Sequence, residues 1–198
     1  MKIKICGLFR EGDIDYVNEA LPDFIGFVFA KSSRQVSVAW AEAMRPKLRD
    51  EITPVGVFVN EPLANVAKLL KDHTIEMAQL HGSEDESYIK ELRSLTGKPI
   101  IKAVRVLSHE DIQNAEQSSA DFLLLDNGAG GSGKSFDWNL VGQVQKPFFL
   151  AGGLTIDNIE QAIKATNPYA VDLSSGVETD GKKDKNKILE IVRRIKHD

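Results

Sequence analysis

A chain of 198 residues, 42% hydrophobic and 27% charged, can bury one good core, so a single domain over residues 1–198 is expected. Its formal net charge of −4 excludes a broadly basic nucleic-acid binder, and no apolar stretch reaches the ~18 residues of a membrane-spanning helix, the longest being Phe24 to Ala30. The lone cysteine, Cys6, excludes an internal disulfide and a multi-thiol zinc site, and Met1-Lys-Ile-Lys lacks the apolar core of an export signal, so a soluble protein of a reducing cytoplasm is expected.

Along the chain, β-branched or aromatic runs alternate with segments of helical period. Lys2–Cys6 reads as the first strand, and Ile14, Val17, Ala20 and Leu21 then recur at helical spacing. Phe24–Phe29 is the second, followed by a segment from Ser37 to Arg49 that Pro46 should end or kink. Pro54–Val59 is the third, with Leu63, Val66, Ala67 and Leu70 on one helix face behind it. Ile75–Leu80 is the fourth, and Ser83-Glu-Asp-Glu86 has the pattern of a capping box opening a helix with Ile89, Leu92 and Leu95.

Pro99–Val106 is the fifth strand, and Ser108-His-Glu-Asp111 opens the next helix. Asp121–Asp126 is the sixth, followed by a glycine-rich segment and a helix start at Asp137. Pro147–Ala151 is the seventh, with Ile159, Ala162 and Ile163 behind it, and Tyr169–Leu173 is the eighth. Asp184 precedes a last helix whose wet face is the basic run Lys182, Lys183, Lys185, Lys187, Arg193, Arg194 and Lys196, a solvated face rather than a nucleic-acid patch.

Strands apolar on both faces, each followed by a helix, imply a parallel α/β sheet covered by helices. An open doubly wound sheet competes with a closed barrel. Eight beats with no odd strand left over favour the single (β/α)8 TIM barrel, compact because it falls below the ~250 residues typical of that fold.

Gly128 to Ser135 satisfies the nucleotide P-loop pattern G-x-x-x-x-G-K-[ST] directly after the apolar run Phe122 to Leu125. A P-loop needs a helix starting at Lys134-Ser135 and a sheet that continues to the Mg²⁺ aspartate, yet only two strands remain and a helix starts more naturally at Asp137. In a barrel the same loop, with Gly131 and Gly133, lies at the carboxyl end of strand six, where it would serve a sugar-phosphate site. A plain surface loop and a nucleotide site are the alternatives.

Other strand ends carry polar or glycine residues as well. Gly152 and Gly153 after strand seven, and Ser174, Ser175 and Gly176 after strand eight, stand where barrels commonly bind phosphate. Cys6 ends the first strand and Asp126 the sixth, an arrangement suited to proton transfer from two sides, although either alone reads equally as an inert small hydrophobe, for Cys6, or a cap or loop ligand, for Asp126. Lys4 shares a strand face with Cys6 and could help form its thiolate, with a purely structural role as the equal alternative. Gln79 and His81 could line the same pocket, with a satisfied strand-end histidine as the competing reading, and Asp172 ends the eighth strand. The four histidines show no metal-ligand spacing, and no metal is expected.

Taken together, Lys4-Ile-Cys-Gly7, Gly26-Phe-Val-Phe29 with Ser33-Arg34, Gly56-Val-Phe-Val-Asn60, Gln79-Leu-His-Gly82, Leu125-Asp126, Gly131-Ser-Gly133 with Phe136-Asp-Trp138, Ala151-Gly-Gly-Leu154 and Asp172-Leu-Ser-Ser-Gly-Val-Glu178 resemble the phosphoribosylanthranilate isomerase family over nearly the whole chain. The resemblance implies one (β/α)8 barrel of tryptophan biosynthesis, an Amadori rearrangement of a phosphosugar, and no organic cofactor or metal. It implies Cys6 as general base, Asp126 as general acid, Arg34 as partner of the anthranilate carboxylate, and the two late loops as phosphate ligands. A monomer or homodimer without nucleic-acid or membrane partners is expected. Phe9, where the family has a small polar or basic residue, and Ser132, where it has threonine, depart from the pattern. A nucleotide hydrolase and a non-catalytic sugar-phosphate binder remain the rival functions.

Overall fold

The computed structural model describes residues 1–126, 137–142 and 144–197, so the P-loop-like segment, with Gly131, Ser132, Gly133 and Lys134, lies outside the described residues. Eight parallel strands close into a barrel in chain order: β1 (Lys2–Cys6), β2 (Phe24–Val28), β3 (Thr53–Phe58), β4 (Met77–Leu80), β5 (Ile100–Arg105), β6 (Phe122–Asp126), β7 (Phe148–Leu150) and β8 (Ala170–Leu173). The ring is sealed by β1 against β8, with Lys4 opposite Asp172 in register. All eight runs read from the sequence are strands, most of them a residue or two shorter than expected. Closure settles the competition with the open sheet.

Among the described residues seven α-helices pack around the strands: α1 (Glu11–Ala20), α2 (Val38–Met44), α3 (Leu63–Lys71), α4 (Glu86–Thr96), α5 (His109–Glu116), α6 (Ile159–Thr166) and α7 (Lys185–His197). None is long and apolar enough to cross a membrane among the described residues. Pro46 acts as expected: α2 stops at Met44, and a 3-10 turn takes over at Arg45–Lys47 with the proline in its first turn. Ser108 and Asp111 form the expected capping box of α5.

Two local expectations need correction. Ser83 does not cap α4. The cap is Asp85, whose side chain accepts from the Tyr88 N–H, while Ser83 donates to Asn60 Oδ1 across to the β3 loop. A carboxylate one residue from the helix start wins over a hydroxyl that has a better partner elsewhere. Between β6 and β7, the helix expected at Asp137 is a 3-10 turn, Trp138–Leu140, capped by the Asp137 side chain.

The barrel wall separates two hydrophobic clusters. Outside it, Ile3, Ile5, Ile25 and Phe27 meet the helices; inside it, Phe24, Val55, Met77, Ile101, Leu124 and Phe149 fill the barrel. Phe24 and Phe149 pack edge to face at 5.3 Å between ring centres, and the Lys2 ammonium lies over Phe24 and Tyr169 at 5.5 and 5.0 Å. These residues stopper the amino-terminal end of the barrel. Above the stopper the lining changes to Lys4, Gln79 and Asp172, and the functional groups begin there.

Candidate active site

At the carboxyl ends of the strands the barrel opens into a cavity of about 340 Å³. Cys6 from β1, Gln79 from β4 with His81 just beyond it, Asp126 from β6 and Asp172 from β8 line it. Arg34, after β2, lines it as well, as do Gly152 and Gly153 after β7 and Ser174, Ser175 and Gly176 after β8. One cavity therefore gathers every expected site residue except Lys4, which lies beneath it, and Gly131 and Gly133, which lie outside the described residues.

Lys4 is fully buried. Its ammonium donates to Gln79 Oε1 and Asp172 Oδ2, each at 2.9 Å, which gives the charge a counter-ion inside the barrel. Burial works against that charge, but Asp172 and the Cys6 thiol more than offset it and raise the Lys4 pKa. Period two along β1 places Lys4 and Cys6 on the same inner face, as expected. Burial pushes the thiol up, Lys4 draws it down, Asp172 adds to the rise, and a second cation, Lys183, lowers it; the net shift is upward. Burial thus favours the thiol over the thiolate, and Lys4 limits how strongly.

Gln79 links this cation to the mouth. Because its Oε1 accepts from Lys4, its Nε2 is the donor to His81 Nδ1 at 3.0 Å. Burial lowers the His81 pKa, which keeps the ring neutral, and with Nδ1 accepting, the proton sits on Nε2. That N–H lies 3.9 Å from Asp126 Oδ2, beyond a direct hydrogen bond. The histidine is thus a pocket wall with its tautomer set from below.

Arg34 is not a free cation. Its Nε and Nη2 each donate to the Glu178 carboxylate at 2.7 Å, and Glu178 also accepts from Lys183 Nζ at 2.5 Å. Lys183 continues to the main-chain oxygen of Ser174 at 3.1 Å and its hydroxyl at 3.3 Å. Burial alone would raise the Glu178 pKa, yet Arg34 and Lys183 hold it below the ordinary value; burial pulls Lys183 down despite Glu178. On the neighbouring loop, Asn158 donates to the Gly153 carbonyl and accepts from the Thr155 N–H, bracing the turn after β7.

Sequence reasoning placed Lys183 on the wet face of the last helix, and the structure corrects this. Lys183 is 3% exposed and belongs to a hairpin of β9 (Glu178–Thr179) and β10 (Lys182–Lys183), in which it pairs with Glu178. The signal was present in Asp180-Gly181, a two-residue hairpin turn in which both residues take positive φ, 51° and 72°. A run of lysines hid it. The remaining basic residues, from Lys185 onward, belong to α7 as expected.

A closed parallel barrel that gathers a thiol, a carboxylate and two glycine-bearing loops around one cavity at its carboxyl end has the site placement of a TIM-barrel enzyme. Residues 3–194 match the family model described as N-(5'phosphoribosyl)anthranilate (PRA) isomerase. The chain is 52% identical to an N-(5'-phosphoribosyl)anthranilate isomerase of Endomicrobium trichonymphae over 98% of each protein. It is similar to the crystal structure of the Thermotoga maritima phosphoribosyl anthranilate isomerase, with a TM-score of 0.89 at 34% identity over 100% of this chain and 99% of that one. A second solved structure, of phosphoribosyl anthranilate isomerase in complex with reduced 1-(o-carboxyphenylamino)-1-deoxyribulose 5-phosphate, gives a TM-score of 0.86 at 32% identity with the same coverage. The chain belongs to the phosphoribosylanthranilate isomerase family.

Proposed function

We propose that this chain converts N-(5-phosphoribosyl)anthranilate into 1-(2-carboxyphenylamino)-1-deoxyribulose 5-phosphate, a step of tryptophan biosynthesis, with Cys6 as general base and Asp126 as general acid. The observation that carries the assignment of roles is the single cavity bounded by Cys6, Asp126, Arg34 and the loops after β7 and β8. Family membership supports the reaction over a nucleotide hydrolase or a passive phosphosugar binder. The related isomerase in complex with a reduced product supports a phosphosugar ligand for this cavity.

The substrate carries an anion at each end, and the site offers a receptor for each. Arg34 takes the anthranilate carboxylate, while main-chain N–H groups around Gly152, Gly153, Ser174, Ser175 and Gly176 take the phosphate. The pentose is thereby held between the two strand ends. Asp126 gives a proton to the ring oxygen as its bond to the anomeric carbon breaks and the anthranilate nitrogen forms an imine. Cys6 then removes the proton from C2, and the resulting enolamine tautomerises to the ketone. The imine acidifies C2, which lets a thiolate present in small fraction suffice.

Lys4 is the thiolate's counter-charge in this scheme, Asp172 anchors Lys4, and the Gln79–His81 chain keeps a neutral N–H donor above Asp126. A working thiol must stay reduced, so the enzyme is assigned to the cytoplasm. Every residue named comes from one chain, so a monomer and a homodimer would each carry complete sites. Loss of the substrate's anthranilate fluorescence on adding purified protein is the expected result; fluorescence unchanged at high enzyme concentration, with the ligand bound, would select the passive binder instead.

A further inference from the structure

Arg34 reaches the cavity from an exposed loop, where an unrestrained arginine side chain would sample many rotamers. Here it is fixed from behind. Its side chain is only 20% exposed, and the Glu178 carboxylate grips one edge of the guanidinium through Nε and Nη2. Two of its five N–H donors are therefore committed, and three, on Nη1 and Nη2, remain for a ligand. The aliphatic part of Arg34 crosses the end of β1 so closely that a Cβ on Gly7 would lie 2.5 Å from Arg34 Cδ, and Gly7 itself has φ +80°. Only glycine leaves that path open.

Glu178 is held in turn. Its side chain is 5% exposed, and the side chain of its second cationic partner, Lys183, is wholly buried. The group Arg34–Glu178–Lys183 carries one net positive charge at the mouth. Without Lys183 the carboxylate would cancel the net charge of the arginine and weaken its attraction for an anion. Lys183 also fastens the Ser174 main chain, so the same hairpin touches both the arginine and the loop after β8.

We propose that Glu178, backed by Lys183, is the positioning residue through which the enzyme recognises the carboxylate of its aryl-amine substrate: it presents the free edge of Arg34 in one orientation and so sets specificity for an ortho-carboxylated aniline. This rests on the assignment of Arg34 made above. Glu178 does not line the cavity, and it acts only through the arginine. Glu178 is also the cleaner residue to change, because Lys183 bears on the Cys6 thiol as well.

The test compares the wild type with Glu178→Gln on two substrates, phosphoribosylanthranilate and the phosphoribosyl aniline that lacks the carboxylate. The wild type is expected to have the lower KM for the carboxylated substrate. In Glu178→Gln that KM rises by about ten- to a hundred-fold, the value of one charge-assisted contact, while kcat changes far less and the KM of the aniline stays put. Merely structural damage would raise both KM values together, and that outcome overturns the proposal, as does undiminished discrimination. Should Glu178→Gln fail to fold, Glu178→Asp keeps the charge and withdraws it by one methylene; partial loss of discrimination supports the proposal and full retention refutes it. A wild type that turns over both compounds with equal KM removes the role of Arg34 itself, whereas a wild type inactive on both removes the isomerase reading.

Discussion

Replacing Cys6 by alanine, or Asp126 by asparagine, is expected to lower kcat by about 10²- to 10⁴-fold each, the usual worth of a positioned acid or base. KM should move little, because the proposed receptors for the anions at either end of the substrate are other residues. Cys6 is small and nearly buried, and removing one sulfur should leave the barrel intact by circular dichroism and thermal melting. The double variant should be scarcely slower than the worse single one, since a half-assembled acid–base pair retains little to lose. Turnover close to the wild type in both single variants would remove these two residues from the chemistry.

The second large effect is expected at Lys4. Lys4→Met keeps most of the volume but strips Asp172 of its cation and Gln79 Oε1 of its donor. Breaking a buried pair from one side costs about 3–5 kcal/mol, and here Asp172 Oδ1 already lacks a partner among the described residues. Urea melts should register that loss. The pH profile should report the rest. The Cys6 thiol is raised by burial, so kcat/KM is expected to climb with pH through a limb above the ~8.5 of a free thiol. Lys4 draws the thiol down, so its removal shifts the limb further to alkaline pH and lowers activity at neutrality. A limb that stays in place in Lys4→Met would show that Lys4 serves the fold alone.

Much of this was legible before any coordinates, and the reasons are physical. Eight apolar runs separated by helical spacing leave few ways to build a sheet, and the barrel followed from counting them. Period two on β1 put Lys4 beside Cys6 in advance. Contacts between residues distant in sequence were not legible: Lys4 to Gln79 and Asp172, and Gln79 to His81 in one chain of donors, depend on strand order and register. Arg34 was foreseen as a ligand but not as a member of a triad. Lys183 was misplaced because a lysine in a lysine-rich stretch reads as solvated, and only the Asp180-Gly181 turn folds it back against Glu178. Ser83 misled for a similar reason, since its cap pattern competed with a partner, Asn60, more than twenty residues away.

The measurement that bears most directly on the central claim is the deuterium isotope effect at C2 of the ribose in single turnovers of the wild type, Cys6→Ser and Asp126→Asn. If Cys6 removes the C2 proton, weakening the base makes that transfer more rate-limiting, and the isotope effect grows in Cys6→Ser. If Asp126 opens the ring, weakening the acid moves the bottleneck to an earlier step, and the effect shrinks in Asp126→Asn. The opposite pattern, or equal effects in all three proteins, would contradict the division of labour between the two strand ends.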